Sequence, residues 1–188
     1  MEKQIKVKRV VVIGPESTGK STLCQKLAQH FNTTFVPEYA REYLLTNGTT
    51  YTKDDLLIIA KNQVESEETI IQSFERTQSA DKLANSSAVF IDTDLYVMKV
   101  WSEFVFNSCD NYILNGIATR KYDLYLLCLP DLPWVKDELR EYPDQVTRQR
   151  LYQYYKDALI HQSTPWVEIS GDYDRRLEKA ISAVNKLF

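Results

Sequence analysis

The chain has 188 residues, which is the length of one ordinary domain. Hydrophobic residues make up 44% and charged residues 26%, values of a folded globular protein, so the composition excludes a disordered chain. The formal net charge of -3 argues against a broad cationic surface for DNA or RNA.

The amino-terminal segment and the cysteines indicate a cytoplasmic protein. The first apolar run, residues 10–13, is too short for a signal peptide or a membrane span. Cys24, Cys109 and Cys128 are odd in number and lack metal-type spacing, which is typical of reduced cysteines. We therefore expect one cytoplasmic domain over residues 1–188, with no nucleic-acid and no membrane partner. The sequence leaves the oligomeric state open, and a homo-oligomer is compatible with it.

Strand patterns and helix patterns alternate along the chain. Short apolar runs predict five strands, at residues 10–13, 33–36, 88–91, 123–129 and 166–170. Apolar residues at helical spacing predict helices at residues 20–31, 38–45, 54–83, 95–106, 110–120, 144–161 and 173–188. In the longest helix, Leu57, Val64 and Ile71 share one seam, which we expect to be buried. This alternation predicts an α/β fold with a parallel sheet covered on both faces.

The junction of the first strand and first helix carries the strongest motif. Residues 14–22, GPESTGKST, match the phosphate-loop pattern G-x-x-x-x-G-K-[ST] in full. In such a loop the backbone N–H groups face phosphate oxygens, the lysine reaches the terminal phosphates and the serine binds Mg²⁺. The sequence therefore predicts a site for a nucleoside triphosphate and Mg²⁺ that is built from Gly14, Pro15, Glu16, Ser17, Thr18, Gly19, Lys20, Ser21 and Thr22.

Carboxylates follow the second and third predicted strands, at the edge where open α/β sheets bind ligands. Asp92 is expected to hold Mg²⁺ directly or through water, with helix capping as the alternative. Asp94 is the stronger cap candidate because Leu95 begins a helical run, yet one of the two aspartates is expected to serve substrate. Glu38 is placed to accept the proton of an attacking hydroxyl or to bind a sugar diol. An ordinary helix start is its alternative.

Two groups of residues complete the candidate site. Tyr39 offers a stacking face, and Arg41 a clamp for phosphate or carboxylate. We interpret residues 131–143 as a mobile segment. The arginines in and just after it resemble those of a kinase lid. The candidate lid cations, for which a solvated charge run is the alternative, are Arg140, Arg148 and Arg150.

Two features near this segment carry further interpretations. Trp134 is either a stacking partner for a ligand or a packing anchor. Arg175 and Arg176 follow the last strand, and we expect both to lie on a solvated helix face.

Taken in order, the segments GPESTGKST, PEYAREY, FIDTD, PWVKDELR and SGDYDRR resemble the ribosylnicotinamide (nicotinamide riboside) kinase domain of the NadR family. The resemblance covers nearly the whole chain. It implies a P-loop NTPase, nucleoside-kinase-like three-layer sandwich with a five-stranded parallel sheet in order 2-3-1-4-5 and a lid at approximately 131–150. It also implies phosphorylation of the 5′-hydroxyl of nicotinamide riboside by ATP with Mg²⁺, which gives nicotinamide mononucleotide.

The implied substrate suits the residues already singled out. A cationic aromatic ring on a diol sugar favours an aromatic face and nearby carboxylates. The expected substrate-binding residues are Glu38, Tyr39, Arg41, Asp94, Trp134 and Asp137. The expected catalytic residues are Lys20, Glu38, Asp92, Asp94 and Arg140, and the expected metal ligands are Ser21 and Asp92.

Three questions stay open at this point. The general base is one of Glu38, Asp92 and Asp94. The acceptor is nicotinamide riboside or, as an alternative, another nucleoside or small metabolite. A nucleotide-dependent regulatory switch is a less favoured alternative, and the chain lacks the N-K-x-D-type motif of a GTPase.

Overall fold

The computed structural model describes residues 7–80 and 87–188. The strands are β1 (Lys8–Ile13), β2 (Phe35–Val36), β3 (Ala88–Asp92), β4 (Leu124–Cys128) and β5 (Trp166–Ile169). The helices are α1 (Lys20–His30), α2 (Tyr39–Asn47), α3 (Lys53–Ala80), α4 (Leu95–Phe106), α5 (Asn111–Thr119), α6 (Gln145–Ile160) and α7 (Tyr173–Asn185). In the described part of the chain, no helix combines the length and apolar character needed to cross a membrane.

The five strands form one parallel sheet in the order β2-β3-β1-β4-β5. The predicted strand order and parallel arrangement are therefore confirmed. Strand β1 lies in the centre, where Val12 pairs with Asp92 on one side and with Leu126 on the other. All of β3 and β4 is buried, as expected of parallel strands with helices on both faces.

Helices cover both faces of the sheet and make it the middle of three layers. One face of β1, with Val10 and Val12, packs in an apolar cluster with residues of α1 and α7. The opposite face, with Val11 and Ile13, packs in a second cluster with residues of α3, α4 and α6. A third apolar cluster joins α2, α3, α4 and α5 beside the sheet. The three-layer sandwich is thus confirmed.

Strand β1 begins two residues earlier than its apolar run predicts. The polar side chains of Lys8 and Arg9 are held by ion pairs, Lys8 with Asp123 at 2.8 Å and Arg9 with Glu68 at 3.1 Å. A pattern of apolar residues cannot predict that charged residues belong to a strand when ion pairs with distant residues hold them there. The predicted end of the longest helix, residues 81–83, lies outside the described residues.

The buried seam of α3 differs from the predicted one. Leu56 and Ile71 are buried, whereas Leu57 and Val64 are only half-buried, so the prediction is correct for Ile71 alone. The line between them is completed by the buried polar residues Gln63 and Glu67. A seam drawn from apolar residues alone cannot detect these two, because their burial depends on hydrogen-bond partners elsewhere in the fold.

Candidate active site

The phosphate loop joins β1 to α1 in a conformation that its glycines permit. Gly14 and Gly19 have φ angles of 142° and 77°. A Cβ atom on Gly14 would lie 2.5 Å from the carbonyl oxygen of Cys128, so no larger residue fits there. Ser17 also has a positive φ, 55°, which is uncommon for a residue with a side chain.

The loop opens on a cavity of about 470 Å³ at the carboxyl ends of the strands. All nine residues of the loop, 14–22, line it, together with Glu38, Arg41, Asp137 and Arg140. The structure thus brings together thirteen of the predicted site residues in one cavity. Its size lies in the range of small-molecule sites, about 300–1,000 Å³.

Lys20 and Thr18 are anchored inside the loop. Lys20 Nζ and Thr18 Oγ1 both donate hydrogen bonds to the carbonyl oxygen of Pro15, at 3.0 and 2.8 Å. The ammonium group of Lys20 therefore lies over the loop, where an incoming phosphate oxygen can replace a carbonyl as its partner.

Asp92 ends β3 beside the first turn of α1 and hydrogen-bonds Ser21. Burial raises the pKa of Asp92 to about 7, and the charge of Glu38 adds to this effect, while Lys20 and Ser21 oppose it. Its Oδ1 atom is buried and has no hydrogen-bond partner among the described residues. A carboxylate with an unsatisfied oxygen beside a loop serine fits Mg²⁺, which takes one or two protein oxygens and completes its shell with phosphates and water.

Asp94 is directed away from the cavity. Thr93 between the two aspartates has a φ of 70°, a left-handed conformation that turns the chain sharply. The carboxylate of Asp94 accepts hydrogen bonds from the Tyr96 backbone N–H at 2.9 Å and from Tyr125 Oη at 2.8 Å. Burial raises its pKa to about 7. Asp94 is therefore the N-cap of α4 and does not line the cavity, with both of its oxygens hydrogen-bonded elsewhere; its expected catalytic and substrate-binding roles stay predictions.

The side chains of Glu38 and Tyr39, at the start of α2, have different surroundings. Glu38 is the N-cap residue of α2, yet its side chain makes no capping bond and instead lines the cavity. The backbone N–H of Tyr39 donates to Gln63 at 2.7 Å, and its ring packs 6.4 Å from that of Tyr43 beside an apolar cluster. The ring of Tyr39 contributes to packing and does not line the cavity, and its expected stacking role stays a prediction.

Residues 131–144, between β4 and α6, form neither helix nor strand and lie against the phosphate loop. The carboxylate of Glu16 accepts hydrogen bonds from Trp134 Nε1 at 3.2 Å and from the backbone N–H groups of Glu141 and Tyr142 at 2.9 and 2.7 Å. Trp134 is half-buried, and the structure does not place it on the cavity wall. The indole N–H of Trp134 is engaged by Glu16, which agrees with the packing interpretation, and its stacking role stays a prediction.

An ion pair connects the same segment to α2. Arg41 Nη1 and Nη2 donate to the two carboxylate oxygens of Asp137 at 3.3 and 3.0 Å. The hydrogen bond from Arg41 holds the pKa of Asp137 below its ordinary value. Arg140 donates to the carbonyl oxygen of Val135, within the segment, and lines the cavity. These contacts join two predicted ligand-binding residues to each other across the cavity mouth.

Part of the cavity wall is aromatic, and the sequence did not lead us to predict it. Val97, Trp101 and Phe104 lie on one face of α4 and line the cavity, as does Tyr155 from α6. The Trp101 indole is fixed by a hydrogen bond from Nε1 to Tyr51 Oη at 2.8 Å. The spacing of residues 97, 101 and 104, directly after the FIDTD segment, is the signal that would have predicted this face.

Arg148 and Arg176 are buried, with 1% and 2% of their surface exposed. The prediction that Arg176 lies on a solvated helix face is wrong, whereas it is confirmed for Arg175, whose side chain is 79% exposed. Both buried guanidinium groups donate to carbonyl oxygens of the phosphate loop. Arg150, by contrast, lies over the rings of Phe104 and Tyr154 on the exposed side of α6.

Comparison with known proteins shows extensive similarity. A family model described as an AAA domain matches residues 9–176. The chain is 28% identical over 188 residues to the trifunctional NAD biosynthesis/regulator protein NadR of Salmonella typhimurium, and 29% identical over 182 residues to that of Escherichia coli. Each alignment covers 96% of this chain but only 43% of the relative. The resemblance to NadR that the motifs indicate is therefore confirmed, although the chain spans less than half the length of these relatives.

Solved structures show the same fold. A crystal structure of NadR protein in complex with NR superposes with a TM-score of 0.74 at 24% identity, covering 96% of this chain and 49% of that one. NadR in complex with NAD and AMP-PNP gives 0.70 at 24% identity, again over 96% and 49%. Thymidylate kinase from Candida albicans gives 0.63 at 17% identity, over 97% of this chain and 93% of that one.

Proposed function

This chain belongs to the AAA domain family, and we propose that it transfers the γ-phosphoryl group of ATP to the 5′-hydroxyl of nicotinamide riboside. The products are ADP and nicotinamide mononucleotide. One observation carries the proposal: a complete phosphate loop, an aromatic wall and the carboxylate of Glu38 all line one cavity. A phosphoryl-transfer enzyme needs this arrangement, because donor and acceptor must be held in line in a site that excludes water.

The phosphate loop is the proposed ATP site. Its backbone N–H groups and the N-terminus of α1 would receive the phosphates, and Lys20 would exchange its bond to the Pro15 carbonyl for a bond to a terminal phosphate oxygen. Ser21 and Asp92 would hold Mg²⁺, which neutralises charge on the β- and γ-phosphates when it is bound. Support comes from NadR, which has been solved in complex with AMP-PNP, an ATP analogue.

Glu38 is the proposed general base. Of the three carboxylates considered, Asp92 is buried against Ser21 and Asp94 caps α4, whereas Glu38 lines the cavity without a capping bond. When the 5′-oxygen attacks the γ-phosphorus, the bond from phosphorus to the β–γ bridging oxygen breaks, and the hydroxyl proton passes to Glu38. ADP leaves with the electron pair of the broken bond.

The aromatic wall is the proposed site of the nicotinamide ring. Trp101 and Phe104 offer rings to a flat cationic heterocycle, and a cation near such a face is stabilised by about 0.5–2 kcal/mol. The similar NadR structure was solved in complex with NR, which agrees with this acceptor. Residues 131–144 would act as a lid, since Glu16 and Arg41 hold the segment over the cavity. A lid there would exclude water from the transferring phosphoryl group.

The experiment is direct identification of the product. The purified chain is incubated with ATP, Mg²⁺ and nicotinamide riboside, and nicotinamide mononucleotide and ADP are quantified by mass spectrometry. We expect equal amounts of both products, and a loss of on the order of a thousandfold in Lys20→Ala, because that lysine stabilises charge in the transition state. Lys186→Ala, at an exposed position of the carboxyl-terminal turn, is the matched control.

Other outcomes identify the alternatives. Turnover with a different nucleoside, but none with nicotinamide riboside, would show a kinase of another acceptor and overturn the proposed substrate. ATP binding without turnover on any acceptor would favour a nucleotide-dependent switch. Full activity in folded Lys20→Ala would contradict the assignment of the phosphate loop.

A further inference from the structure

Two buried arginines hold the phosphate loop from behind. Arg148 of α6 donates through Nη2 to the carbonyl oxygen of Ser17 at 3.2 Å. Arg176 of α7 donates through Nη1 to the carbonyl oxygen of the next residue, Thr18, at 3.1 Å. Two consecutive carbonyls of the loop thus accept bonds from two cations that come from different helices.

Each guanidinium group also binds the chain that follows β4. Arg148 donates to the carbonyl oxygen of Leu132 at 3.3 Å, and Arg176 to that of Leu129 at 3.0 Å. Arg176 additionally pairs with Asp131. The planar forks therefore connect the phosphate loop to the base of segment 131–144, and a planar group with five donors is suited to such a double contact.

The backbone of the loop needs support at this point. Ser17 has a left-handed φ of 55°, a conformation that a residue with a side chain retains only where its surroundings fix it. A carbonyl that accepts a bond from a buried guanidinium cannot turn toward a bound anion. The contacts of Ser17 and Thr18 therefore keep two repulsive oxygens away from the phosphate side of the loop.

The charge of Arg148 is not balanced by a bonded carboxylate. Its remaining partner is the amide oxygen of Gln145 at 3.2 Å, and no ion pair of Arg148 is found in residues 7–80 and 87–188. Its Nε is buried and has no hydrogen-bond partner there. Burial lowers the pKa of Arg148, and the negative charge of Glu16 opposes this effect. A buried cation without a bonded carboxylate is costly unless further negative charge comes near it.

We propose that Arg148 and Arg176 are positioning residues of the phosphate loop, and that the positive charge of Arg148 stabilises the phosphates of a bound nucleotide from behind the loop. This inference rests on the nucleotide-binding part of the proposed function and not on the identity of the acceptor. It gives the two arginines a role through the loop backbone, without direct contact with the reacting atoms.

The test compares nucleotides that differ only in phosphate number. Dissociation constants of ATP, ADP and AMP with Mg²⁺ are measured by calorimetry, without acceptor, for the wild type, Arg148→Met, Arg148→Gln, Arg148→Lys and Arg176→Lys. The matched controls are Gln153→Met and Arg175→Met, which alter exposed polar residues of the same helices. Thermal unfolding of each variant reports stability separately.

We expect Arg148→Met to weaken ATP and ADP binding about tenfold to a hundredfold, the range for a lost bond to a charged group, and AMP binding by less than threefold. Arg148→Lys keeps the charge but loses the planar fork, so it is expected between the wild type and Arg148→Met. Arg176→Lys is expected to weaken ATP and ADP by threefold or more. Both controls are expected to match the wild type.

A purely structural role predicts a different pattern, in which melting temperatures fall but the ratio of ADP to AMP affinity stays at the wild-type value. That result would overturn the inference. If Arg148→Met does not fold, Arg148→Gln decides, because it removes the charge but keeps a donor for the loop carbonyl: an unchanged ratio overturns the inference and a lowered ratio supports it. A wild-type protein that binds ATP but leaves nicotinamide riboside unreacted would instead overturn the proposed function and leave this inference intact.

Discussion

At Asp92, folding favours the protonated carboxyl group, whereas the proposed binding of Mg²⁺ needs the charged carboxylate. Its folded-state pKa, about 7, lies above its ordinary value of 3.8, so between these values the folded protein keeps a proton that the unfolded chain loses. The free energy of unfolding therefore falls as the pH rises through this window and levels off above pH 7. The same charged carboxylate, with its unsatisfied oxygen, is the proposed partner of Mg²⁺.

Asp92→Asn should remove this pH-dependent loss. We expect the variant to be more stable than the wild type at pH 8, by about 1–3 kcal/mol, with the difference shrinking toward pH 4. Phosphoryl transfer should fall at least tenfold, because a neutral amide is a poor Mg²⁺ ligand. Urea unfolding from pH 4 to 8 checks the first expectation, with Asp174→Asn, whose side chain is 90% exposed, as control. A variant no more stable than the wild type at pH 8 would contradict the buried charge.

At the scale of single residues, the sequence predicted where the site residues lie better than it predicted where their side chains point. The phosphate-loop residues lie where their motif places them, since the pattern itself encodes the backbone turn. Asp94, Tyr39 and Trp134 are near the site in sequence but face elsewhere. Their directions depend on features with no sequence pattern, such as the left-handed backbone of Thr93 and the engagement of Trp134 by Glu16.

Among the elements, segment 131–144 departs most from regular structure and is held by one residue of the phosphate loop. Glu16 Oε1 accepts from Trp134 and Tyr142, and Oε2 accepts from Glu141. An amide in place of the carboxylate must turn an N–H₂ group toward at least one of these donors. The loss of charge weakens the remaining bonds as well.

Glu16→Gln should therefore loosen the segment. We expect Trp134 fluorescence to shift to longer wavelength and acrylamide quenching to increase, while the melting temperature falls only slightly because the core is untouched. Replacing Trp101 and Trp166 by phenylalanine isolates the signal. Glu138→Gln, at an exposed position of the same segment, is the control. Unchanged quenching in Glu16→Gln would show that Glu16 does not hold the segment.

Arg140 tests whether this segment takes part in phosphoryl transfer. It lines the cavity while bonded to Val135 of its own segment, so its charge is available near the phosphate loop. If it contacts the transferring group mainly in the transition state, Arg140→Ala lowers kcat tenfold or more and changes the affinity for ATP little. Steady-state kinetics with direct ATP binding measures both, with the exposed Lys136→Ala as control. A raised KM for ATP at unchanged kcat would assign Arg140 to uniform binding.

Apolar periodicity predicted that the helices exist, but it did not predict which residues form the buried face of α3. All seven predicted helices occur, but α3 buries Gln63 and Glu67 in its seam. Gln63 satisfies the Tyr39 N–H, and Glu67 pairs with Arg120 at 2.6 Å. Both partners are distant in sequence, at separations of 24 and 53 residues, so no local pattern contains them. The aromatic face of α4, by contrast, was detectable from its spacing.

At the scale of the whole molecule, the cavity is assembled from parts of the chain that meet only in the folded protein. The loop after β1 supplies the phosphate end, α4 and α6 supply the aromatic wall, and α2 and segment 131–144 supply the charged mouth. Strand order brings them together, because all of them lie at the carboxyl edge of the sheet or on helices that begin there. The meeting of the phosphate loop, α2 and segment 131–144 at this edge followed from the predicted topology, whereas the aromatic wall did not.

The charged residues that line the cavity determine which acceptor it favours. Its lining contains the acidic residues Glu16, Glu38, Asp137 and Glu141, whereas its cations are Lys20, Arg41 and Arg140. Lys20 belongs to the phosphate loop, and Arg41 is already paired with Asp137. The acceptor end is therefore aromatic with a carboxylate beside it, which favours a cationic ring over a neutral base.

We expect nicotinamide riboside to exceed uridine, cytidine and adenosine in kcat/KM by tenfold or more. A neutral base forfeits the attraction of its ring to the aromatic wall and to Glu38, and about 1.4 kcal/mol of lost interaction already amounts to tenfold. Competition at limiting ATP measures the ratio directly, and the preference should shrink at high salt because charge attraction is screened. The reduced, uncharged riboside of dihydronicotinamide is the matched control, since it keeps nearly the same shape without the charge. If that control or any neutral nucleoside is used as well as nicotinamide riboside, charge does not select the acceptor, and the aromatic wall acts by shape alone.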